Sequence, residues 1–266
     1  MTLDPGERAT AELLARLASE ELVVLGQLRS ASNATLLCEF AGAPAGQRVV
    51  YKPVAGERAL WDFPEATLAL REVAAYEVSS LLGWDLVPAT AWREEGPYGP
   101  GSCQVWVDEA GEQPVRVCPA GTASALVVVS GQDAAGNELA VEHDDSTELQ
   151  RIAVFDAIVN NADRKGGHII SDELSRAWCI DHGVCFSDEP KLRTVLWGWM
   201  GQDIPADLVS TIASTAPALR AWLDERAGFL SQAEQAAFLA RVEGLLECPR
   251  FPEPTGEWPF LPWPVM

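Results

Sequence analysis

Apolar residues follow a strand-like spacing in the first part of the chain and a helical spacing in much of the second. Residues 5–19 place leucines on one stripe, which predicts an amphipathic helix. Three apolar runs separated by polar or small turns then predict an antiparallel meander (ELVVLGQLR, TLLCEF, RVVYKPV). A helical pattern begins at Pro64 and stops at Gly83, before two more strand-like runs (LVPATAWR, SCQVWVDE). This order predicts a twisted sheet with one long helix.

The middle of the chain predicts β structure on both sides of one helix. Residues 109–145 are less regular, but the run ALVVVSGQDAAGNELAVEH predicts a hairpin that turns near Gly136. Asp145 or Ser146 caps a predicted helix, STELQRIAVFDAIVNN, whose apolar positions share one face. The two runs that follow, HIIS and AWCID, are typical of short strands.

The last third of the chain is helical in pattern and ends in a stretch of different composition. Interruptions of the helix are predicted near Pro217 and Gly228. The stretch PRFPEPTGEWPFLPWPVM predicts an extended tail, with Trp258 and Trp263 packed against the helices. We therefore predict an α+β architecture with a β-rich first lobe, a mainly helical second lobe and a tail, at residues 1–108, 109–248 and 249–266.

Composition and charge exclude several classes of function. The 266 residues are 48% apolar and 22% charged, as in folded domains, and no run approaches the roughly 18 apolar residues of a membrane span. A net charge of −20 disfavours nucleic acid and stable membrane association. The first residues lack the basic and apolar segments of a signal peptide, so we expect a cytoplasmic protein. Six scattered cysteines without metal-binding spacing predict free thiols.

Lysine is rare in this chain, since only three of the 19 basic residues are lysine: Lys52, Lys165 and Lys191. A compact ammonium on a flexible stem is not equivalent to a planar guanidinium. The three lysines therefore mark positions to inspect for chemistry, although chance survival in an arginine-rich sequence explains them equally well.

The strongest local signal is VNNADRKGGHII followed by WCIDHGVCF. A predicted helix ends before a polar loop that presents Asp163, and a second apolar run then delivers Asp181. Two such carboxylates are able to orient a hydroxyl group and hold a divalent metal ion. Upstream, Lys52 lies inside a predicted strand and Glu72 lies on the helix that follows, so an ion pair between strand and helix is expected.

These residues resemble the phosphatidylinositol 3-/4-kinase-like branch of the protein-kinase-like fold, which also contains the HipA-type toxin kinases. Within it, the chain resembles an actinobacterial family labelled "phosphatidylinositol kinase-like", over about residues 20–230. The catalytic loop of that group reads Asp-Arg-His-x-x-Asn or Asp-x-His-x-Lys-Asn. Asp163 falls on its catalytic aspartate and His168 on its metal-binding asparagine. The segment IDHG falls on the Asp-Phe-Gly-like segment, which assigns Asp181 to the metal.

The resemblance implies a two-lobe, protein-kinase-like fold that uses ATP with Mg²⁺ or Mn²⁺. In such a site Lys52, held by Glu72, binds the nucleotide phosphates. Asp181 and His168 hold the metal, and Asp163 orients the acceptor hydroxyl. Backbone groups of the segment that joins the lobes hydrogen-bond the adenine ring, which adds four expected nucleotide-binding residues: Gln104, Val105, Trp106 and Val107.

Three departures from the family pattern change what is expected. His168 replaces an asparagine, and imidazole suits Mn²⁺ or Zn²⁺ better than Mg²⁺. Lys165 replaces a buttressing histidine and is expected to contact the γ-phosphate as part of the catalytic set. The glycine-rich loop is absent as such, so the phosphates are expected to lie under small polar residues of SASNATL: Ser30, Ser32 and Asn33.

The sequence predicts the roles of the remaining histidines and cations less specifically. We expect His143 to be solvated in its acidic cluster and His182 to fill a turn. Lys191 and Arg193 follow Asp181 at the distance where kinases place a substrate loop. They either bind an anionic substrate or belong to a loop packed against the nearby tryptophans.

The function expected from this resemblance is ATP-dependent phosphorylation of a protein Ser/Thr or a small-molecule hydroxyl. Transfer of AMP is one alternative, because the metal ligand is altered. A catalytically weak nucleotide-binding scaffold is a second. A metal-dependent hydrolase is a third, although it leaves the lysine–glutamate pair unexplained.

Overall fold

A five-stranded antiparallel sheet forms the first part of the chain. The structure is a computed structural model that describes residues 5–28, 33–42, 47–63, 67–119, 125–256 and 258–266. The strands lie in the order β1-β2-β3-β5-β4, and their bounds are β1 Leu22–Gln27, β2 Leu36–Phe40, β3 Arg48–Pro53, β4 Thr90–Arg93 and β5 Gly101–Val105. The predicted meander of the first three strands is confirmed by the antiparallel pairing of β1 with β2 and of β2 with β3.

Two helices pack on this sheet. Helix α1 (Pro5–Ser19) and helix α2 (Leu68–Leu81) both contact β4 and β5. Leu17 of α1 joins an apolar cluster with Tyr51 and Cys103, which fixes one face of the sheet under α1. Strand alternation turns the intervening residues of β3 to the other face. The start of the second helix predicted at Pro64 lies outside the described residues.

A second, three-stranded sheet follows, with the order β6-β8-β7. Its strands are β6 Val115–Pro119, β7 Ala125–Gln132 and β8 Glu138–Asp144. The predicted hairpin is confirmed, because β7 pairs antiparallel with β8 and backbone hydrogen bonds close the turn between Asp133 and Asn137. Strand β6 is not among the predicted strands, because its short run is stabilised by pairing with β8, which is distant in the sequence.

Helix α3 (Thr147–Val159) begins at Ser146, whose hydroxyl accepts a hydrogen bond from Leu149 N. It is followed by the antiparallel pair β9 (Ile169–Ser171) and β10 (Ala177–Cys179). The predicted helix and both short strands are therefore present. Most of α3 is buried, and it supplies much of the larger apolar core.

The two final helices are α4 (Ala206–Glu225) and α5 (Gln232–Glu247). The interruption predicted at Pro217 is wrong, because α4 continues through this proline. Buried residues on both sides of Pro217, such as Ile212 and Leu219, hold the helix in place despite one lost hydrogen bond. The interruption at Gly228 is confirmed, since its φ of 109° favours glycine and ends the helical run.

The tail after α5 crosses the loop that follows α3. Val265 O accepts a hydrogen bond from Gly166 N at 2.8 Å, and Phe260 O accepts one from Thr194 N at 3.2 Å. Trp258 is half-buried and stacks on Trp61, with 5.8 Å between the ring centroids. Trp263 is 88% exposed, so its predicted packing against the helices is wrong.

These elements make an α+β protein with a sheet-rich first part and a helical later part, as the sequence predicts. The six cysteines are free thiols, and four of them are buried: Cys38, Cys103, Cys179 and Cys185. Within the described ranges, none of the helices is both long and apolar enough to span a membrane.

Candidate active site

Lys52 lies on β3 with its side chain on the α2 face of the sheet, because Tyr51 points to the α1 face. Its ammonium donates to Glu72 Oε1 and, at 2.9 Å, to Asp181 Oδ1. Glu72 is 3% exposed, and its second oxygen accepts from the backbone N of His182 at 2.9 Å. The ion pair expected between strand and helix is therefore present, and it reaches Asp181 as well.

The charges of this cluster stabilise one another. Burial opposes the positive charge of Lys52, but the carboxylates of Asp181 and Glu72 outweigh it and raise the pKa of Lys52 above its ordinary value. In turn, the ammonium of Lys52 is the main reason why the pKa of Asp181 lies far below its ordinary value. Lys52 and Asp181 are thus both charged at neutral pH.

Two asparagines shape the loop that carries Asp163. Asn160 ends α3 in the left-handed conformation, with φ of 53°, and its amide donates to the carbonyls of Ser187 at 3.0 Å and Glu189 at 2.6 Å. Asn161 Oδ1 accepts from Asp163 N at 2.9 Å. The backbone before Asp163 is therefore fixed by side-chain hydrogen bonds, since the chain has left the regular helix there.

A buried arginine holds this loop against the strand that leads to Asp181. Arg164 is fully buried and pairs with Asp156 of α3, which is also fully buried, with 2.9 Å between Nε and Oδ2. The same guanidinium donates to His168 O at 3.2 Å and to Ile180 O at 3.1 Å. This pair was missed from the sequence. Its one signal is Asp156 itself, an acid within the apolar run IAVFDAIV.

Asp163 and Lys165 form a partly exposed pair on the loop. Their Oδ2 and Nζ atoms lie 2.8 Å apart, and the side chains are 30% and 16% exposed. Burial raises the pKa of Asp163 above its ordinary value, and the charge of Lys165 opposes that rise. Burial thus makes this carboxylate a better proton acceptor, while the charge of Lys165 limits the effect.

His168 faces Asp181 with an unprotonated nitrogen. Its Nδ1 lies 3.1 Å from the carbonyl of Asp163, and a carbonyl only accepts, so Nδ1 carries the proton. Nε2 then presents its lone pair, 3.4 Å from Asp181 Oδ2. Burial lowers the pKa of His168 to about 4, which keeps the ring neutral at physiological pH. A carbonyl that fixes the tautomer in this way is the usual support of a metal-binding histidine.

The donor set of His168 and Asp181 fits a divalent ion that takes its other ligands from a nucleotide and water. Among the described residues, no group of three or more His, Cys, Asp or Glu side chains is placed to hold a metal ion unaided. One imidazole nitrogen and one carboxylate oxygen form a mixed pair, which suits Mn²⁺ better than Mg²⁺.

The residues expected near the adenine ring lie in and just after β5. Gln104 and Val105 are inside the strand, and the Gln104 amide donates to Thr90 Oγ1 at 2.8 Å. Trp106 N donates to Arg48 O at 3.0 Å, and Val107 follows. Backbone groups within β5 form hydrogen bonds with the adjacent strands β3 and β4. Their contact with a nucleotide therefore stays a prediction.

The residues expected to cover the phosphates are described only in part. Ser30 and Ser32 lie outside the described residues. Asn33 is described, and its Oδ1 accepts a hydrogen bond from Arg58 N at 2.9 Å. Asn33 therefore connects the β1–β2 turn to the segment after β3, and its role toward phosphate stays a prediction.

The other two histidines are structural. The expectation that His143 is solvated is wrong: it is fully buried, packs on Trp199 with 4.4 Å between ring centroids, and accepts from Gly198 N at 3.1 Å. His182 is also fully buried, and its Nε2 lies 2.8 Å from a terminal nitrogen of Arg164. It fills the turn after Asp181, as expected, and connects that turn to the buried arginine.

The fold of this chain is similar to that of atypical kinase structures. A hydra Fam20 structure with sugar matches with a TM-score of 0.55 and 14% identity, covering 92% of this chain and 90% of that one. The Golgi casein kinase matches with a TM-score of 0.51 and 14% identity, covering 92% and 75%. A structure of that kinase with Mn/ADP bound matches with a TM-score of 0.50 and 14% identity, covering 91% and 75%.

In sequence, the chain is 45% identical to Protein Rv2133c of Mycobacterium tuberculosis (strain ATCC 25618 / H37Rv), across 100% of this chain and 97% of that protein. It belongs to the same family as Rv2133c. No family model matches the sequence.

Proposed function

We propose that this protein is an ATP-dependent phosphotransferase that moves the γ-phosphoryl group to a hydroxyl of a protein Ser/Thr or a small molecule. The observation that carries the proposal is the cluster in which Lys52 contacts both Glu72 and Asp181, while Asp181 faces the unprotonated nitrogen of His168. A hydrolase needs only the acids and the histidine, so it gives no reason for the Lys52–Glu72 pair.

Lys52 supplies the positive charge for the nucleotide phosphates. Glu72 is nearly inaccessible and is anchored by a backbone hydrogen bond, whereas Asp181 has a side chain that is 50% exposed. A phosphate oxygen therefore replaces Asp181, and not Glu72, as the second partner of the ammonium. Glu72 keeps Lys52 in place during this exchange, which is the division of roles that phosphoryl transfer needs.

Asp163 accepts the proton of the acceptor. The acceptor oxygen forms a bond to the γ-phosphorus, the bond to the bridging oxygen of ADP breaks, and the hydroxyl proton passes to Asp163. Lys165, 2.8 Å from this carboxylate, lies where its ammonium also contacts the transferred group. Asp163 and Lys165 are thus the proposed catalytic pair.

Asp181 and His168 are the proposed metal ligands. A bound Mg²⁺ or Mn²⁺ neutralises phosphate charge during transfer. One of the structural neighbours contains Mn and ADP, which supports this pairing of nucleotide and metal. The chain itself contributes a carboxylate and a neutral imidazole, whose orientation is set by the Asp163 carbonyl.

The finer assignments rest on the sequence. We propose membership of the phosphatidylinositol 3-/4-kinase-like and HipA-like branch, with lobe boundaries after residues 108 and 248 and a cytoplasmic location. Nucleotide contacts from the predicted hinge and from the β1–β2 turn belong to the same proposal. The net charge of −20 argues against nucleic acid and a lipid surface as partners.

The products formed from ATP test the reaction without knowledge of the acceptor. A phosphotransferase also transfers the γ-phosphoryl group slowly to water, so ADP forms even when the acceptor is absent. Purified protein is incubated with ATP and Mn²⁺ or Mg²⁺, and nucleotides are separated by chromatography. ADP formation that is lost in Asp163→Ala supports the proposal. AMP with pyrophosphate indicates AMP transfer instead, and ATP that stays intact with both metals indicates a nucleotide-binding scaffold.

A further inference from the structure

Two cations of the segment after Asp181 differ in how they are neutralised. Lys191 Nζ lies 2.8 Å from Glu189 Oε2 and 3.4 Å from Asp62 Oδ2, and its side chain is 2% exposed. Arg193 makes no ion pair and no side-chain hydrogen bond with any residue that the structure describes. Its Nε is buried without a partner, while the residue as a whole is partly exposed. Among the described residues, Arg193 therefore has no ion-paired or hydrogen-bonded counter-charge.

The backbone of Arg193 is fixed to the loop that carries Asp163. Arg193 N donates to Asn161 O at 2.9 Å, and Arg193 O accepts from Arg164 N at 2.9 Å. These two hydrogen bonds flank Asp163 in sequence, so the arginine holds a constant position relative to that carboxylate. Its charge also acts there, since it is among the groups that lower the pKa of Asp163 against the effect of burial.

The side chain of Arg193 is oriented by the tail. The guanidinium carbon lies 5.6 Å from the centroid of the Trp258 ring. A guanidinium beside an aromatic face keeps the N–H groups at its edge free to form two parallel hydrogen bonds to a carboxylate or a phosphate. Trp258 thus orients the donors of Arg193 without neutralising them.

We propose that Arg193, oriented by Trp258, binds an anionic group of the acceptor and so selects hydroxyl compounds that carry a carboxylate or a phosphate close to the hydroxyl. The inference rests on the proposed phosphotransfer, because it places the anion next to the hydroxyl that Asp163 receives. Desolvating an arginine with a missing partner is costly, and an acceptor anion supplies that partner in a chain whose net charge otherwise repels anions.

The test compares matched acceptors that differ only in charge. One pair consists of a short peptide with a serine between glutamates and its glutamine counterpart, and a second pair consists of glycerate and its amide, glyceramide. Transfer of γ-phosphate from labelled ATP is measured for each, and binding is measured separately by calorimetry without ATP. The peptide arm and the small-molecule arm distinguish a protein acceptor from a metabolite.

Wild type is expected to favour the charged member of at least one pair by about tenfold, as one charge-assisted contact allows. Arg193→Gln is expected to remove that preference, and Arg193→Lys to retain part of it. Arg220→Gln removes the same charge from an exposed pair on α4 and is expected to behave like wild type. ATP affinity is expected to be equal in all four proteins.

Equal calorimetric binding of both members of each pair by wild type, or equal phosphate transfer to both, overturns the inference; where no acceptor is phosphorylated, the binding data decide. A preference that persists in Arg193→Gln overturns it too. ATP binding in the same preparations separates the two proposals. Charge-selective binding without ATP binding contradicts the phosphotransferase and supports the anion site, whereas ATP turnover without charge preference does the reverse.

Discussion

Two sets of charge pairs in the molecule differ in their cation. The arginine set consists of Arg164 with Asp156 and Arg71 with Glu234, and both guanidiniums are fully buried. The lysine set consists of Lys52 and Lys165, whose side chains are 20% and 16% exposed. The first set also binds backbone carbonyls, whereas the hydrogen bonds that the second set makes with described residues all go to carboxylates.

This difference teaches which charges maintain the fold and which are available for chemistry. A guanidinium has five donors in a rigid plane, so one side chain joins several backbone segments. An ammonium is a compact charge on a flexible stem, so Lys52 and Lys165 are able to change partners more easily than the two buried guanidiniums. The scarcity of lysine in the sequence therefore agrees with the site, since two of the three lysines lie there.

The largest effect is expected when the arginine set is broken. Arg164→Leu leaves Asp156 buried without a counter-charge, and we expect the free energy of unfolding to fall by about 3–5 kcal/mol. Urea denaturation followed by tryptophan fluorescence measures it. Arg220→Leu, which breaks the exposed pair with Glu243, is the matched control and should change the midpoint little. Equal effects of the two substitutions would contradict the distinction drawn here.

A substitution in the lysine set should affect ligand binding more than folding. Lys52→Met removes the cation that faces the phosphates, and we expect ATP affinity to fall by roughly 10–100-fold, as for the loss of one contact between charged groups. The thermal midpoint should drop less than in Arg164→Leu, because Asp181 remains 50% exposed to solvent. Buried Glu72 keeps its hydrogen bond from His182 N and can take up a proton, since burial raises its pKa. Unfolding as severe as that of Arg164→Leu would place Lys52 among the structural charges.

The pH dependence of stability gives a further comparison between the site and the structural residues, because both contain histidines. Burial lowers the pKa of His168 to about 4, and those of His143 and His182 are also lowered, against about 6.5 in the unfolded chain. Between about pH 4 and pH 6.5, the unfolded state therefore binds more protons than the folded state. The free energy of unfolding should keep the full contribution of these histidines above pH 6.5 and should decrease as the pH falls toward 4.

His168→Asn separates the contribution of the site from those of the structural histidines. Between pH 6.5 and pH 4.5, the free energy of unfolding of the variant should fall by about 2 kcal/mol less than that of wild type. Denaturation curves at a series of pH values measure the difference. A decrease identical to that of wild type would show that His168 is not held neutral by burial in the folded protein.

The smallest effect is expected at the third lysine. Lys191 contacts Glu189, Asp62 and the ring of Trp258, and none of these belongs to the proposed nucleotide cluster. Lys191→Met should lower the free energy of unfolding by about 1 kcal/mol and leave ATP affinity unchanged, because its partner Glu189 is 56% exposed and stays solvated without the lysine. Calorimetry and urea denaturation on one preparation measure both. A loss of ATP binding would extend the lysine set to all three residues.

Much of the fold was predictable because the periodicities are clear. The meander of the first three strands, the buried α3 and the pair of strands between Asp163 and Asp181 all follow from alternation or helical spacing. The helix interruption predicted at Pro217 is wrong, because local propensity does not include the tertiary packing that keeps α4 continuous. Strand β6 was missed, since its pairing with β8 is a long-range contact.

The site was predictable where chemistry is encoded in short spacings. The sequence predicts Lys52, Glu72, Asp163, His168 and Asp181 as candidate site residues. The structure brings Lys52, Glu72, Asp181 and His168 together, and the roles of all five stay predictions. The supporting residues were not found, because a buried pair such as Arg164–Asp156 appears in the sequence as two ordinary charges. The position of Trp258 beside Arg193 was equally hidden, since it depends on where the tail lies.

The most direct test of the central claim is a calorimetric titration of ATP, with and without Mn²⁺ or Mg²⁺, into wild type and Asp181→Asn. Asp207→Asn makes the same change at an exposed acid on α4 and serves as the control. The account predicts metal-dependent ATP binding in wild type and in the control, and its loss in Asp181→Asn. The absence of binding in wild type with either metal, or unchanged metal-dependent binding in Asp181→Asn, would contradict it.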